Sequence, residues 1–309
     1  INTNAELGDM IKVEIHSKEF GRIATQNAKN VILQKIREEE RKVLYDQYYG
    51  MEKEVVTGIV QRVMGKNVSV NLGKADGILS ENEQVKGEEF EPTERIKVYI
   101  LEVKDTPKGP RILLSRTHPG LVKRLFESEV AEVKDGTVEI KSIAREAGSR
   151  TKIAVWSNDP DVDPVGACVG MNGARVNSIV EELRGEKIDI INWDENPAIL
   201  IENALSPAKV IAVMADPDEK TALVVVPDYQ LSLAIGKEGQ NARLAARLTG
   251  FKIDIKSETQ ARESGELYDY DDEDEYYDEE EYSEEGAVES EETETEETEE
   301  VSEETTVEE

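Results

Sequence analysis

The chain has 309 residues and a formal charge of −31, from 68 acidic residues against 37 basic ones. The imbalance is local: 26 of the acids and none of the bases fall between Glu263 and Glu309, so residues 1–262 carry a net charge of only −5. A body of that size has room for two or three domains; its single cysteine, Cys168, excludes a disulfide framework and a cysteine metal cluster within one chain, and no apolar run approaches the roughly 20 residues of a membrane helix. No basic-apolar leader opens the sequence. The composition predicts a soluble protein of a reducing compartment, with no membrane partner. The first residue is Ile1 and the pattern there is already structured, so the chain reads as a fragment whose head has been removed.

Residues 20–48 predict one long helix. Ala24, Ala28, Val31, Ile32 and Ile36 form an apolar stripe prolonged by Val43 and Leu44, while Arg37, Glu38, Arg41 and Lys42 face away. Gly50 ends it. A strand-rich block follows over residues 51–118. "EVVTGIVQRV", "VSVNL", "DGILS", "RIKVYILEV" and "RILLS" are five strands separated by Gly, Pro, Asn and Asp turns. Five short strands in about 65 residues suit a small closed barrel of the OB type.

Beyond the barrel the pattern becomes mixed, and it repeats. "LVKRLFE" predicts a helix, "DGTVEIKSIA" and "TKIAVWS" strands, "DPVGACV" a short helix, "ARVNSIVEEL" a longer helix and "EKIDIINW" a strand. The second copy runs through "NPAILIENAL", "KVIAVMA", "TALVVVP", "YQLSLAI", "QNARLAARL" and "FKIDIKS" in the same order. Both copies close on "KIDI", and each carries a Gly-x-x-Gly loop between its short and long helix: Gly170-Met171-Asn172-Gly173 and Gly236-Lys237-Glu238-Gly239. Duplication constrains the fold more than either motif alone. The tail beyond Glu263 is repetitive, self-repelling and poor in aliphatics, a composition that predicts disorder.

A Gly-x-x-Gly turn lets a ligand approach the backbone closely, and the following helix N-terminus attracts anions. Lys237, Arg243 and Arg175 add positive charge. Together these suit a sugar-phosphate backbone, as in the KH module, whose loop clamps four nucleotides of a single strand. A lone loop of this kind is most often a plain turn, and the recurrence of the whole unit argues against that here. A DNA-binding helix-turn-helix would normally sit among helices, whereas strands bracket both units. A dinucleotide fingerprint needs G-x-G-x-x-G directly after a strand, which neither loop offers. Cys168 lies on an apolar helix face and reads as a packed thiol. His16 and His118 fall in different segments without partner ligands. The sequence shows no catalytic site, no metal site and no cofactor motif.

These strings resemble the NusA family of bacterial transcription elongation and termination factors. The resemblance runs from about residue 6 to residue 260 and rests on "FGRIATQNAKNVILQKIREEER", "GPRILLSRTHP", "SNDPDVDPVGACVGMNGARV", "ELRGEKIDII", "NALSPAKV" and "VVVPDYQLSLAIGKEGQNARLAARLTG". It implies a multidomain α+β chain, in order: the end of a polymerase-binding amino-terminal domain with its connecting helix (1–50), an OB-type barrel (51–118), two tandem type II KH modules (119–195 and 196–262) and a disordered acidic tail (263–309). It implies a cytoplasmic, monomeric, non-enzymatic factor whose partners are single-stranded nascent RNA, RNA polymerase and other elongation or antitermination factors. The implied RNA-binding residues are Gly170, Met171, Asn172, Gly173 and Arg175 in the first module. In the second they are Gly236, Lys237, Glu238, Gly239, Gln240, Asn241 and Arg243. Arg145, Arg150 and Lys152 would add a basic strip. Two departures stand out: the first loop has no lysine, and "DGILS" sets Ile78 and Leu79 where an aromatic pair would stack on bases. The barrel's role therefore stays open between weak RNA binding and a structural or polymerase-facing one. An RNA-processing enzyme subunit is the other class to weigh, because exoribonucleases also carry KH and barrel domains. Those enzymes place KH before the barrel, the reverse of the order here.

Overall fold

The computed structural model describes residues 21–265. The expectations for the acidic tail beyond Gly265, for the opening segment before Gly21 and for His16 lie outside the described residues.

Helix α1 (Arg22–Tyr49) forms as the periodicity predicts, but its apolar stripe is largely uncovered: Val31, Ile32, Ile36 and Val43 are all exposed among the described residues. Only its last turns meet the barrel. Tyr48 is buried there and its hydroxyl donates to the Leu72 carbonyl at 3.1 Å.

The barrel comprises β1 (Val55–Met64), β2 (Asn67–Asn71), β3 (Asp76–Leu79), β4 (Arg95–Lys104) and β5 (Arg111–Ser115), closed in the order β1-β2-β3-β5-β4. β3 and β5 run parallel, and the other pairings are antiparallel. Register shifts at Val60/Arg62 and Ile100/Glu102 bend the long strands, as closing so small a barrel requires. Val60, Val70, Leu79, Val98, Ile100, Ile112 and Leu114 fill its interior. Successive strand residues point to opposite faces, so Leu79 belongs to the core and only Ile78, itself half-buried, faces outward. The expected outward pair at Ile78 and Leu79 is therefore a single residue.

Two modules of one design follow. The first contains α2 (Pro119–Glu129), the short α3 (Ala131–Lys134), β6 (Val138–Glu146), β7 (Arg150–Ser157), α4 (Pro164–Val169), α5 (Ala174–Glu182) and β8 (Lys187–Asn192). The second contains α6 (Pro197–Ala204), β9 (Ala212–Asp216), β10 (Thr221–Val226), α7 (Leu231–Ile235), α8 (Gln240–Thr249), β11 (Lys252–Ser257) and α9 (Glu258–Glu263). In each sheet the central strand pairs antiparallel with the strand before it and parallel with the strand after the two helices, the arrangement of a type II KH module.

The two modules share a core. Ile153 and Val155 of β7 face α2 and α5 in the first module's own interior. Ala144, Ala154 and Ile191, on the opposite face of the same sheet, pack with Leu200, Ile201, Ala204, Ala245 and Leu248 of the second module. The first sheet is thus sandwiched between its own helices and its neighbour's, and burying each leucine or isoleucine there stabilises by about 1.5–3 kcal/mol. The barrel is joined as firmly. Arg116, almost wholly buried, pairs with Glu88 at 2.5 Å and donates to the carbonyls of Lys97 and Glu182. Arg184 pairs with Glu88 and Glu94 from the other side.

Candidate nucleic-acid interface

Both Gly-x-x-Gly segments adopt nearly one backbone path. Gly170 and Gly236 have φ/ψ of 74°/173° and 76°/173°, Asn172 and Glu238 53°/26° and 54°/25°, and Gly173 and Gly239 75°/14° and 73°/18°. Three of four residues in each loop thus lie at positive φ, where glycine is cheapest and Asn tolerable. No side chain takes up the leading N–H groups of α5 or α8. The positive end of each helix dipole therefore opens onto the loop, a setting that favours an anion.

The side chains expected to reach RNA divide sharply. Met171 is 87% exposed, and Lys237, Asn172 and Glu238 are exposed with it. Arg175 turns inward, pairing with Glu132 at 3.0 Å and donating to the Ala167 carbonyl at 2.6 Å. Asn241 occupies the same place in the second module and is buried. Its amide donates to the carbonyls of Ala234 and Leu205, both at 3.0 Å. Arg175 and Asn241 thus hold the end of the short helix against the long one; Asn241 is buried, whereas the Arg175 side chain stays about one-third exposed (35%). Gln240 reaches the first module, donating to Glu146 at 2.9 Å and to the Ser149 hydroxyl at 2.7 Å. Arg243 spans Glu146 through Nε at 3.0 Å and the Glu238 carbonyl through Nη1. Hydrogen bonds from Arg243 first, then from Gln240, hold the Glu146 carboxyl below the usual carboxylate range.

The basic strip is corrected. Arg145, Arg150 and Lys152 do not form an exposed surface. Arg145 makes a two-pronged contact with buried Glu186, at 2.8 and 2.9 Å. Burial pushes the Glu186 carboxyl upward, but Arg145, the Thr151 hydroxyl and the Gly148 amide outweigh it and hold the carboxyl low. Lys152 is fully buried, donating to the Ser206 carbonyl at 2.8 Å and pairing with Asp189 at 3.2 Å. Burial, the largest influence, lowers its pKa. Arg150 shares Asp189 at 2.9 Å. These three bases build the β6–β7 turn and the junction between modules.

A groove of about 710 Å³ is lined by Val165 of α4 and Ile190 and Asn192 of β8 in the first module and by Asn203, Ser206 and Lys209 of the second. It therefore passes directly from one module to the next. Cys168 is buried on the inner side of α4, and burial pushes its thiol up to about 11, as a packed thiol requires. His118 accepts from the Gly120 amide and stacks on Tyr99 at 4.7 Å. Among the described residues no group of three or more His, Cys, Asp or Glu could hold a metal ion, and no helix is long and apolar enough to cross a membrane.

A closed five-stranded barrel followed by two KH modules, fused through buried ion pairs and a shared core, defines a multidomain nucleic-acid-binding protein. Family models match along the chain: the NusA N-terminal domain over residues 1–42, the S1 RNA binding domain over 50–115, the NusA-like first KH domain over 116–193 and the NusA-like second KH domain over 197–263. The chain is 60% identical over 259 residues to the transcription termination/antitermination protein NusA of Bacillus subtilis, covering 84% of this chain and 70% of that one. It is 50% identical over 248 residues to NusA of Mycobacterium bovis (77% and 72%) and 45% identical over 249 residues to that of Thermus thermophilus (80% and 64%). The chain belongs to the NusA family.

Proposed function

We propose that this chain is an RNA-binding transcription factor that associates with RNA polymerase and nascent RNA to modulate pausing, termination and antitermination. It acts in the cytoplasm, as a monomer, by binding rather than by catalysis. Its relatives are named for termination and antitermination, and two KH modules and a barrel of the RNA-binding kind support RNA as the ligand.

The observation that carries the reading is the pair of loops with a common backbone path, each opening onto an uncapped helix N-terminus. Phosphates are held by loop backbone, with Lys237 as the added cation in the second module. Met171 and Asn172 offer an apolar and an amide contact in the first. Arg175, Asn241, Gln240 and Arg243 shape the loops. Two clamps of four nucleotides imply a footprint of at least about eight, and the shared core fixes the spacing between them.

The test is fluorescence anisotropy with 5′-fluorescein (AC)n RNAs of four to sixteen nucleotides, which cannot self-pair. Affinity should rise steeply up to at least about eight nucleotides, since linked sites gain by effective concentration. A four-nucleotide RNA that binds as tightly as the longer ones would sink the two-clamp reading. Crosslinking to a paused transcription complex tests the polymerase contact. Incubation with labelled RNA and Mg²⁺ tests the enzyme alternative, which progressive degradation would favour.

A further inference from the structure

The two KH sheets have one register and different surroundings. β7 pairs with β8 from Arg150 opposite Lys187, and β10 pairs with β11 from Thr221 opposite Lys252. Each partner strand then reads Ile-Asp-Ile, so the sheets match position by position. Lys152 corresponds to Leu223. Asp189 and Ala144 stand across from Lys152, Asp254 and Met214 across from Leu223. Directly paired residues share a sheet face. Both trios therefore lie on the face opposite Ile153 and Val155 in the first sheet and opposite Val224 in the second, residues that pack into their own module's interior.

In the first module that face is covered. Ala144, Ala154 and Ile191 pack on α6 and α8, and buried Lys152 holds Asp189 at 3.2 Å and the Ser206 carbonyl at 2.8 Å, with Arg150 on the same acid at 2.9 Å. In the second module no further module follows among the described residues. The short α9 lies against β10 and β11, where Val225 is buried. Met214 is 43% exposed, Asp254 is exposed and Leu223 is half-buried. The last face of a stack needs to be more polar than its internal ones to stay in water. Here the trend is reversed: buried Lys152 gives way to Leu223, Arg150 to Thr221 and Ala144 to Met214. Only Ile191, whose counterpart is Lys256 opposite Val225, goes the other way. The acid recurs as Asp254, but both cations that hold its counterpart are gone, and it has no ion-pair partner among the described residues.

We propose that this face of the second sheet is a docking surface for a protein partner that presents an amphipathic helix with a lysine or arginine beside its apolar stripe. The precedent lies within the chain, where α6 covers the matching face of the first sheet with Leu200, Ile201 and Ala204. The partner's apolar residues cover Met214 and Leu223. Its cation takes the place that Lys152 holds against Asp189 and pairs with Asp254. Covering a carboxylate without a counter-charge is costly, so the face discriminates against a neutral or acidic helix. Asp216, Asp218 and Glu219, at the end of β9 and in the turn after it, add negative charge at the rim. That charge favours a basic helix and opposes an RNA phosphate chain. The inference stands apart from the RNA-clamp reading.

The probe is an mRNA-displayed library of helix-favouring peptides, selected on the full chain and counter-selected on Leu223→Lys. That variant copies the Lys152–Asp189 pair into the second sheet and so satisfies Asp254 from within. Met214→Glu, at an exposed position, takes over as counter-target if circular dichroism shows Leu223→Lys unfolded. The enriched peptides should carry apolar residues at i, i+3 or i+4, and i+7, with a basic residue at the edge of the stripe. Asp254→Asn should weaken them roughly three- to tenfold in fluorescence anisotropy. Replacing the peptide's basic residue by norleucine should weaken binding to the wild-type chain by a similar factor and change little in Asp254→Asn, as a coupled pair requires. Peptides that bind wild type and counter-target alike overturn the proposal. So do enriched acidic peptides, the absence of enrichment, or an affinity indifferent to Asp254→Asn. Sedimentation velocity covers the other occupant: a dimer that Leu223→Lys dissociates gives this face to a second copy and overturns the partner helix.

Discussion

The two KH modules share a backbone and differ in what holds it. Their loop torsions agree within a few degrees, yet the first loop is braced from inside its own module, by Arg175 on Glu132 and on the Ala167 carbonyl. The second is braced from outside. Its Asn241 reaches within the module, but Gln240 and Arg243 reach Glu146 and Ser149 of the first. The dependence runs one way: the first module can shape its loop alone, whereas the second borrows part of its frame. Sequence duplication hides this asymmetry, because the borrowed residues lie in a turn whose counterpart in the second module braces nothing similar among the described residues.

The most damaging way to probe the asymmetry is to collapse the borrowed frame. Arg145→Ala leaves Glu186 buried without its partner, which should cost about 3–5 kcal/mol, seen as a lower urea midpoint. Because Glu186 also holds the Gly148 amide, the β6–β7 turn should loosen. Hydrogen exchange should then speed up at the second loop before the first. Equal changes at both loops would refute the one-way dependence.

Next in size are the loops themselves. Gly239→Asp and Gly173→Asp each put a side chain and a negative charge where phosphate must lie, and losing a charge-assisted contact should weaken RNA binding by about 1–3 kcal/mol. Folding should survive, with an unchanged circular dichroism spectrum, because Asp tolerates the left-handed region better than most residues. A Cβ at Gly239 has only Arg243 Nη1 near, at 3.5 Å, whereas at Gly173 it meets Asn177 Nδ2 at 3.2 Å. The first-module variant should therefore lose slightly more stability. The double variant should abolish the dependence on RNA length.

Smaller still is the contrast at the tips. Met171→Lys should steepen the salt dependence of RNA binding by about one unit of slope, and Lys237→Met should flatten it by the same amount. The double swap should restore the wild-type slope if the tips are equivalent positions on a common path. A swap that leaves either single-variant slope in place would show that the two loops meet different parts of the strand.

Much of this architecture was legible in the sequence, because it rests on local signals. The 3.6-residue and two-residue periods placed the long elements, and glycine marked the loops. What was not legible is long-range pairing. Arg145, Arg150, Lys152 and Arg175 read as available cations because Glu186, Asp189 and Glu132 stand 37 to 43 residues away in the chain and nothing local ties them together. Leu79 read as surface because the strand's two faces could not be told apart from four residues. One miss had a readable signal: "SETQ" carries a capping box, and Ser257 and Gln260 do bond reciprocally at the start of α9. Glu146 had no local signal, since its contacts with Gln240 and Arg243 form only when the two modules meet.

The finest probe of the comparison is titration of the one carboxylate that links the loops' frames. Glu146 has a depressed folded-state pKa, set by Arg243 first and Gln240 next. An unfolded glutamate titrates near 4.3. A group depressed on folding contributes stability that is fully present above its unfolded value and lost as pH falls through its folded one. The contribution is therefore complete at pH 7 and fades below about pH 4. Its size is modest, because Arg243 and Arg247 are about half exposed, and exposed pairs are worth roughly 0.2–1 kcal/mol. Glu146→Gln should lower the urea midpoint slightly at pH 7. The gap to wild type should close as pH drops below about 4, where the native side chain is itself neutral. First-module variants that spare Glu146, such as Glu132→Gln, should leave the exchange rate of the second loop unchanged, while Glu146→Gln should raise it at pH 7. If Glu132→Gln loosens the second loop as much as Glu146→Gln does, the bracing is distributed through the shared core rather than carried by this carboxylate.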